Sequence, residues 1–200
     1  MTQTITRLFD TRAQAETAVQ ELEEMGVSND AISIVAHGGE RAADERRSFG
    51  HDHDDTAEGA GKGAGAGAVV GGAGGLLAGL GLLAIPGIGP VVAGGWLVAT
   101  LVGAAGGAVV GGAAGGLLGA LKDAGVNEDD AHVYAENIRR GGALVSVRAE
   151  DADAPRIEQS LNSALGVDAA SRRSLYNQDG WTRFDETAAP YNAGTGAPLL

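Results

Sequence analysis

The chain has 200 residues, no cysteine, 4% aromatics and a formal net charge of -12, with a sequence pI near 4.6. That balance argues against a nucleic-acid binder driven by phosphate contacts, which needs a basic stripe, and against docking on anionic lipid through a polybasic patch. Without cysteine there are no disulfides, no thiolate catalysis and no cysteine-ligated metal, a usage compatible with a reducing cytoplasm.

Met1–Asp10 has neither a basic n-region nor an apolar h-region, so no cleaved secretory leader is expected. Within it, Thr4-Ile-Thr-Arg-Leu-Phe9 alternates like a short strand. Asp10 or Thr11 is placed to N-cap a helix over Ala13–Met25, whose Ala15, Ala18, Val19, Leu22 and Met25 share one face. Gly26 ends that helix. Ala31-Ile-Ser-Ile-Val-Ala36 reads as a second strand, stopped by Gly38-Gly39. Residues 40–58 form a polar, charged loop.

From residue 63 to residue 121 there is no Asp, Glu, Lys, Arg or His, and residues 57–122 hold 23 of the 34 glycines. Gly59, Gly63, Gly67, Gly71, Gly75 and Gly79 form an i, i+4 row. Gly103, Gly107, Gly111, Gly115 and Gly119 form a second, extended back through Ala99 to Gly95. Between the rows, Pro86, Gly87, Gly89 and Pro90 predict a turn. On a helix such a row makes a groove for close backbone approach, as in small-xxx-small membrane helices. The expectation is a glycine-zipper helical hairpin over 59–122. Residues 63–84 and 91–121 would span roughly 33 Å and 46 Å as helices, against a hydrocarbon core of about 30 Å. A glycine-rich helix in water loses about 1 kcal/mol per glycine, which favours a bilayer or a tightly packed apolar partner. Trp96, six residues past the turn, suits an interfacial anchor.

After this zone, Asn127 or Asp129 starts a helix running to about Arg140, with Val133, Tyr134 and Ile138 on its apolar side. Ala143-Leu-Val-Ser-Val-Arg148 is a strand. A helix follows from Ala154 to Leu165, then a strand around Val167–Arg172. The tail 176–200, broken by Pro190 and Pro198, is expected to be irregular, with Trp181 packing it onto the domain. Without its middle the order is β-α-β, a linker helix, then β-α-β. This is an α+β fold: a split, ferredoxin-like α/β sandwich with helices on one face. Its halves would be 1–39 and 123–175, interrupted by the hairpin.

Few residues suggest chemistry. His51-Asp-His-Asp-Asp55 offers alternating imidazole and carboxylate, with His51 and His53 the candidate metal ligands. A loop without a supporting shell reads instead as a solvated linker, so no metal site is assigned. Gly59-Ala-Gly-Lys-Gly63 lacks the Ser/Thr and the preceding strand of a phosphate loop. His37 and His132 have no partner identifiable from spacing and read as surface histidines. Asp10 reads as a cap. No catalytic residue and no cofactor are assigned.

Three groups of residues carry a resemblance. They are Leu8–Val19 followed by Gly26–Val35, the Ile85-Pro-Gly-Ile-Gly-Pro90 turn with the Glu136–Val147 run, and Gly180-Trp-Thr-Arg-Phe-Asp185. In this order they resemble the general stress protein 17M-like family, or heat-induced stress protein YflT-type domain, in a longer glycine-rich bacterial branch. The resemblance implies a bacterial stress-associated protein without established enzymatic activity, and supplies no catalytic residues. The resulting expectation is a non-enzymatic protein anchored in the bacterial inner membrane by the hairpin, self-associating, with both termini cytoplasmic. The alternative is a soluble cytoplasmic homo-oligomeric scaffold or small-ligand sensor whose hairpins form the subunit interface. The sequence names no small-molecule ligand and no nucleic-acid partner.

Overall fold

The first strand, β1 (Thr2–Phe9), leads into α1 (Arg12–Glu24) through a capping box, in which Thr11 Oγ1 accepts from the Gln14 N–H and Gln14 Oε1 accepts from the Thr11 N–H. A 3-10 turn at Asn29–Ala31 then delivers the chain to β2 (Ile32–His37). The computed structural model describes residues 2–38, 81–85, 88–98, 117–123, 125–185 and 187. His51, His53, Lys62, Pro86, Gly87 and the glycines at 59–79 and 103–115 therefore lie outside the described residues.

The described part of the glycine zone departs from the helical expectation. Gly81–Ile85 and Gly89–Gly95 are strands, β3 and β4, paired antiparallel with each other. The turn falls where expected, closed by the Ile88 N–H donating to the Ile85 carbonyl at 3.1 Å, but Gly89 and Pro90 already belong to β4. Leu82–Ile85 and Val91–Ala93 are apolar runs too short for periodicity to separate strand from buried helix. Pairing of β4 with β2 decides the matter. Gly95 is thus no member of a helical row. It has φ +87°, and a Cβ there would collide with the Ile32 carbonyl oxygen and sit 2.7 Å from Ser33 Cα, so glycine permits the close strand approach. Gly119 does lie on a helix, α2 (Leu117–Asp123), with nothing within 4 Å of its Cβ position.

Beyond α2, Asn127 caps α3 (Glu128–Arg139), β5 (Ala143–Glu150) follows, then α4 (Ala154–Ser163) and α5 (Ala169–Gln178). The strand expected at 167–172 shrinks to a bridge at Val167, which exchanges two 2.8 Å backbone hydrogen bonds with Leu8. Asp168 then accepts from the Ser171 N–H and starts a helix instead. Tyr176–Gln178, expected in the irregular tail, completes that helix.

The described strands form one antiparallel five-stranded sheet in the order β1-β5-β2-β4-β3. Helices cover both faces, not one. On one face Ile5, Phe9, Ile32, Ile34, Val145 and Val147 meet Val19 and Leu22 of α1 and Ile157 and Leu161 of α4. On the other, Leu8, Val35, Val91, Ala93 and Leu144 meet Leu117 and Leu121 of α2, Val133 and Ile138 of α3, and Tyr176 beside Phe184. The period-2 alternation of β5 serves both cores at once. Among the described residues, no helix is long and apolar enough to cross a membrane.

Candidate functional site

The second core contains a polar knot joining α3 to α5. Asn137 is fully buried, and its Nδ2 donates to the carbonyls of Phe9 (3.1 Å) and Ala143 (3.0 Å), while its Oδ1 accepts from the Tyr176 hydroxyl at 3.1 Å. Phe9 and Ala143 are partners at the end of the β1–β5 ladder, so one amide closes the ladder and satisfies all three groups. Gly142 makes room, because a Cβ there would strike Asn137 and lie 2.6 Å from the Phe9 carbonyl. Burial pushes the Tyr176 phenol well above its ordinary range.

At the preceding position, the buried Glu136 carboxylate accepts from Arg139 through both its oxygens (2.9 and 2.8 Å) and from Arg140 Nε at 2.7 Å. The Arg140 guanidinium lies 4.3 Å from the centre of the Tyr176 ring, and Tyr176 meets Trp181 edge-to-face at 5.6 Å between centroids. The chain at 181 is further held by its N–H donating to the Tyr176 carbonyl at 3.0 Å. A column from Glu136 through Arg140 and Tyr176 therefore fixes the plane of Trp181.

Trp181 is one wall of a cleft of about 640 Å³, lined also by Glu128, Asp129 and His132 of α3, Arg173 and Asn177 of α5, and Gly180, Thr182 and Arg183 of the segment beyond it. Arg183 straps that segment to α3: its Nε donates to His132 Nε2 at 2.9 Å and its Nη2 to Glu128 Oε1 at 2.8 Å. His132 Nε2 is an acceptor in this arrangement, so the imidazole is neutral. Lys122 adds a second cation at Glu128, 3.2 Å from Oε2, and holds the Glu128 carboxyl below the usual range, with Arg183 contributing less. Arg173 is bound to Asp130 at 2.6 Å. The cleft thus presents both charge signs, amide and hydroxyl groups and an aromatic wall, in the size range of small-molecule sites.

Of the residues with chemical potential in the sequence, His132 is the one placed here. It is buried rather than a surface histidine, with Arg183 hydrogen-bonded to its ring. His37 sits half-buried at the end of β2, its pKa lowered mainly by desolvation. Asp10 does not cap α1; Thr11 does, and Asp10 instead pairs with the buried Arg172 at 2.5 Å. Trp96 lies beneath the Arg148 guanidinium, 3.8 Å from its ring centre. Trp181 packs the chain beyond α5 as expected. Spacing could not bring Arg173, Asn177 and Arg183 to His132, 41 to 51 positions away. The one available signal was Gly180-Trp-Thr-Arg-Phe-Asp185, a dense aromatic and charged motif in a region read as tail. Among the described residues no group of three His, Asp or Glu is placed to hold a metal. Compared with family models, curated proteins and solved structures, the chain matches none.

Proposed function

We propose that this protein is a non-enzymatic small-ligand sensor of the stress-associated kind that its sequence resembles, with the ligand held in the cleft between α3 and residues 180–183. The observation that carries this reading is the convergence of Glu128, His132, Arg173, Asn177, Trp181 and Arg183 from three separate segments on one cleft. Thr182 is the one hydroxyl among the lining residues, and His132 Nε2 is engaged by Arg183. The lining is therefore equipped to recognise rather than to attack. The order Val167–β1–β5–β2 supports a split ferredoxin-like parentage, with the β4–β3 hairpin added at one edge and α2–α3 covering the second face. Native mass spectrometry of the full chain tests the site. A small-molecule adduct, lost in the exposed variant Asn177→Leu, is expected; an adduct unaffected by that variant, or none, contradicts the assignment.

The run without charge from residue 63 to 121 favours a second reading, a membrane anchor. His37 and Gly81 belong to the same sheet, so chain between them that enters a bilayer must also return. The 22 residues from 59 to 80 would span roughly 33 Å, one crossing. Insertion with the turn at its tip requires β4 to leave β2. Carbonate-resistant recovery in membranes would support this reading, and full recovery in the soluble fraction would remove it. Under either reading the glycine rows at 59–79 and 103–115 are the proposed surfaces for self-association.

A further inference from the structure

We infer that His132 and Arg183 form a proton-operated latch on the cleft, which opens when His132 is protonated. The inference rests on the sensor reading and names how that site is regulated. Residues 181–185 are held to the domain by the Trp181 N–H, by the buried Phe184 side chain and by the two hydrogen bonds of Arg183. The first of these Arg183 bonds depends on the neutral imidazole. Nε2 accepts from Arg183 only while it carries no proton. Once protonated, it becomes a donor facing a guanidinium, with the carboxylate oxygen Glu128 Oε1 at 4.0 Å. That is the oxygen Arg183 Nη2 occupies. One proton therefore cancels the first bond of the strap and puts His132 in competition for the second.

The surrounding charges set the balance. From α3 come Glu128 and Asp129, and Glu136 one turn further on, already engaged by Arg139 and Arg140. The segment beyond α5 contributes Arg183, α5 contributes Arg173 committed to Asp130, and α2 contributes Lys122 on Glu128. A protonated imidazole would face the Arg183 guanidinium at hydrogen-bond distance, and that repulsion is relieved most directly by letting the largely exposed Arg183 swing outward. The strap then detaches at Thr182–Arg183, the cleft widens on that side, and Trp181 meets water.

Trp181 reports the event. In a Trp96→Phe background it is the single tryptophan, and its emission is expected to shift red as pH is lowered from 8 to 5, following uptake of one proton. His132→Gln retains an acceptor for Arg183 but takes up no proton, and is expected to stay blue throughout. Arg183→Met is expected to give the red signal already at pH 8 and not to titrate. Absence of the shift in the Trp96→Phe protein, or its persistence in His132→Gln, overturns the latch. Adduct retention at pH 8 tests the site independently, so failure of the latch and failure of the sensor reading give different results.

Discussion

Replacing Gly95 and Gly119 separately by alanine distinguishes a strand hairpin from a helical zipper, since both belong to a single i, i+4 row in the sequence. Gly95 has φ +87° and backbone of Ile32 and Ser33 against its Cβ position. The left-handed conformation costs a residue with a Cβ about 1–2 kcal/mol, and forcing backbone apart adds about 1–3 kcal/mol. At about 2–4 °C per kcal/mol for a chain of this size, Gly95→Ala should lower Tm by at least about 4 °C. Gly119 lies in α2 with nothing near its Cβ position, so alanine there should stabilise by about 0.5–1 kcal/mol and raise Tm by roughly 1–4 °C. Thermal and urea unfolding followed by circular dichroism measure both. Equal destabilisation at the two positions, or the reverse order, would refute the assignment of residues 81–95 to the sheet.

Asn137→Ala removes the partner of the Phe9 and Ala143 carbonyls and of the Tyr176 hydroxyl; a loss of about 3 kcal/mol or more in urea unfolding, with the m-value unchanged, is expected. Desolvation lowers the His37 pKa in the folded state, so unfolded chains bind the proton more readily. Its contribution is complete above the unfolded value near about 6.5 and is lost as pH falls through the folded value. His37→Gln should therefore flatten part of the acid-side decline in unfolding free energy between pH 7 and 5. Burial raises the Tyr134 phenol to about 12 and Tyr176 further. In an alkaline absorbance titration these two should ionise only above the normal tyrosine range or together with unfolding, and a normal midpoint for either in the folded protein would contradict its burial.

The ends of the fold were legible because each signal there was local. Alternation marked β1, Asp10 or Thr11 marked the start of α1, and Asn127 or Asp129 marked that of α3. The glycine zone was misread at its centre because Leu-Leu-Ala-Ile and Val-Val-Ala are compatible with either period, and only pairing with β2, about 60 residues away, separates them. Helices on both faces were missed for a related reason: Leu144 and Val35 on the second face look like the ordinary inward residues of a one-sided sheet until α3 is laid over them. At the cleft, His132 and its acidic neighbours were visible, but the groups completing the site come from a helix read as strand and a segment read as tail. Glu136 and Asn137 are polar letters on what is, in the structure, a fully buried stretch of α3, and no pattern in one helix announces partners on another.

Residues 81–95 complete the sheet through the pairing of β4 with β2. Ala36 and Val92 are Cα partners across β2 and β4, and the chain has no cysteine of its own. Ala36→Cys with Val92→Cys should therefore form an intramolecular disulfide under mild oxidation, as antiparallel partners at about 4.5–5.5 Å allow. The most direct measurement is the cross-linked fraction of this variant in fractionated cells. Near-complete cross-linking in the soluble fraction is predicted; reduced thiols in the membrane fraction would contradict it.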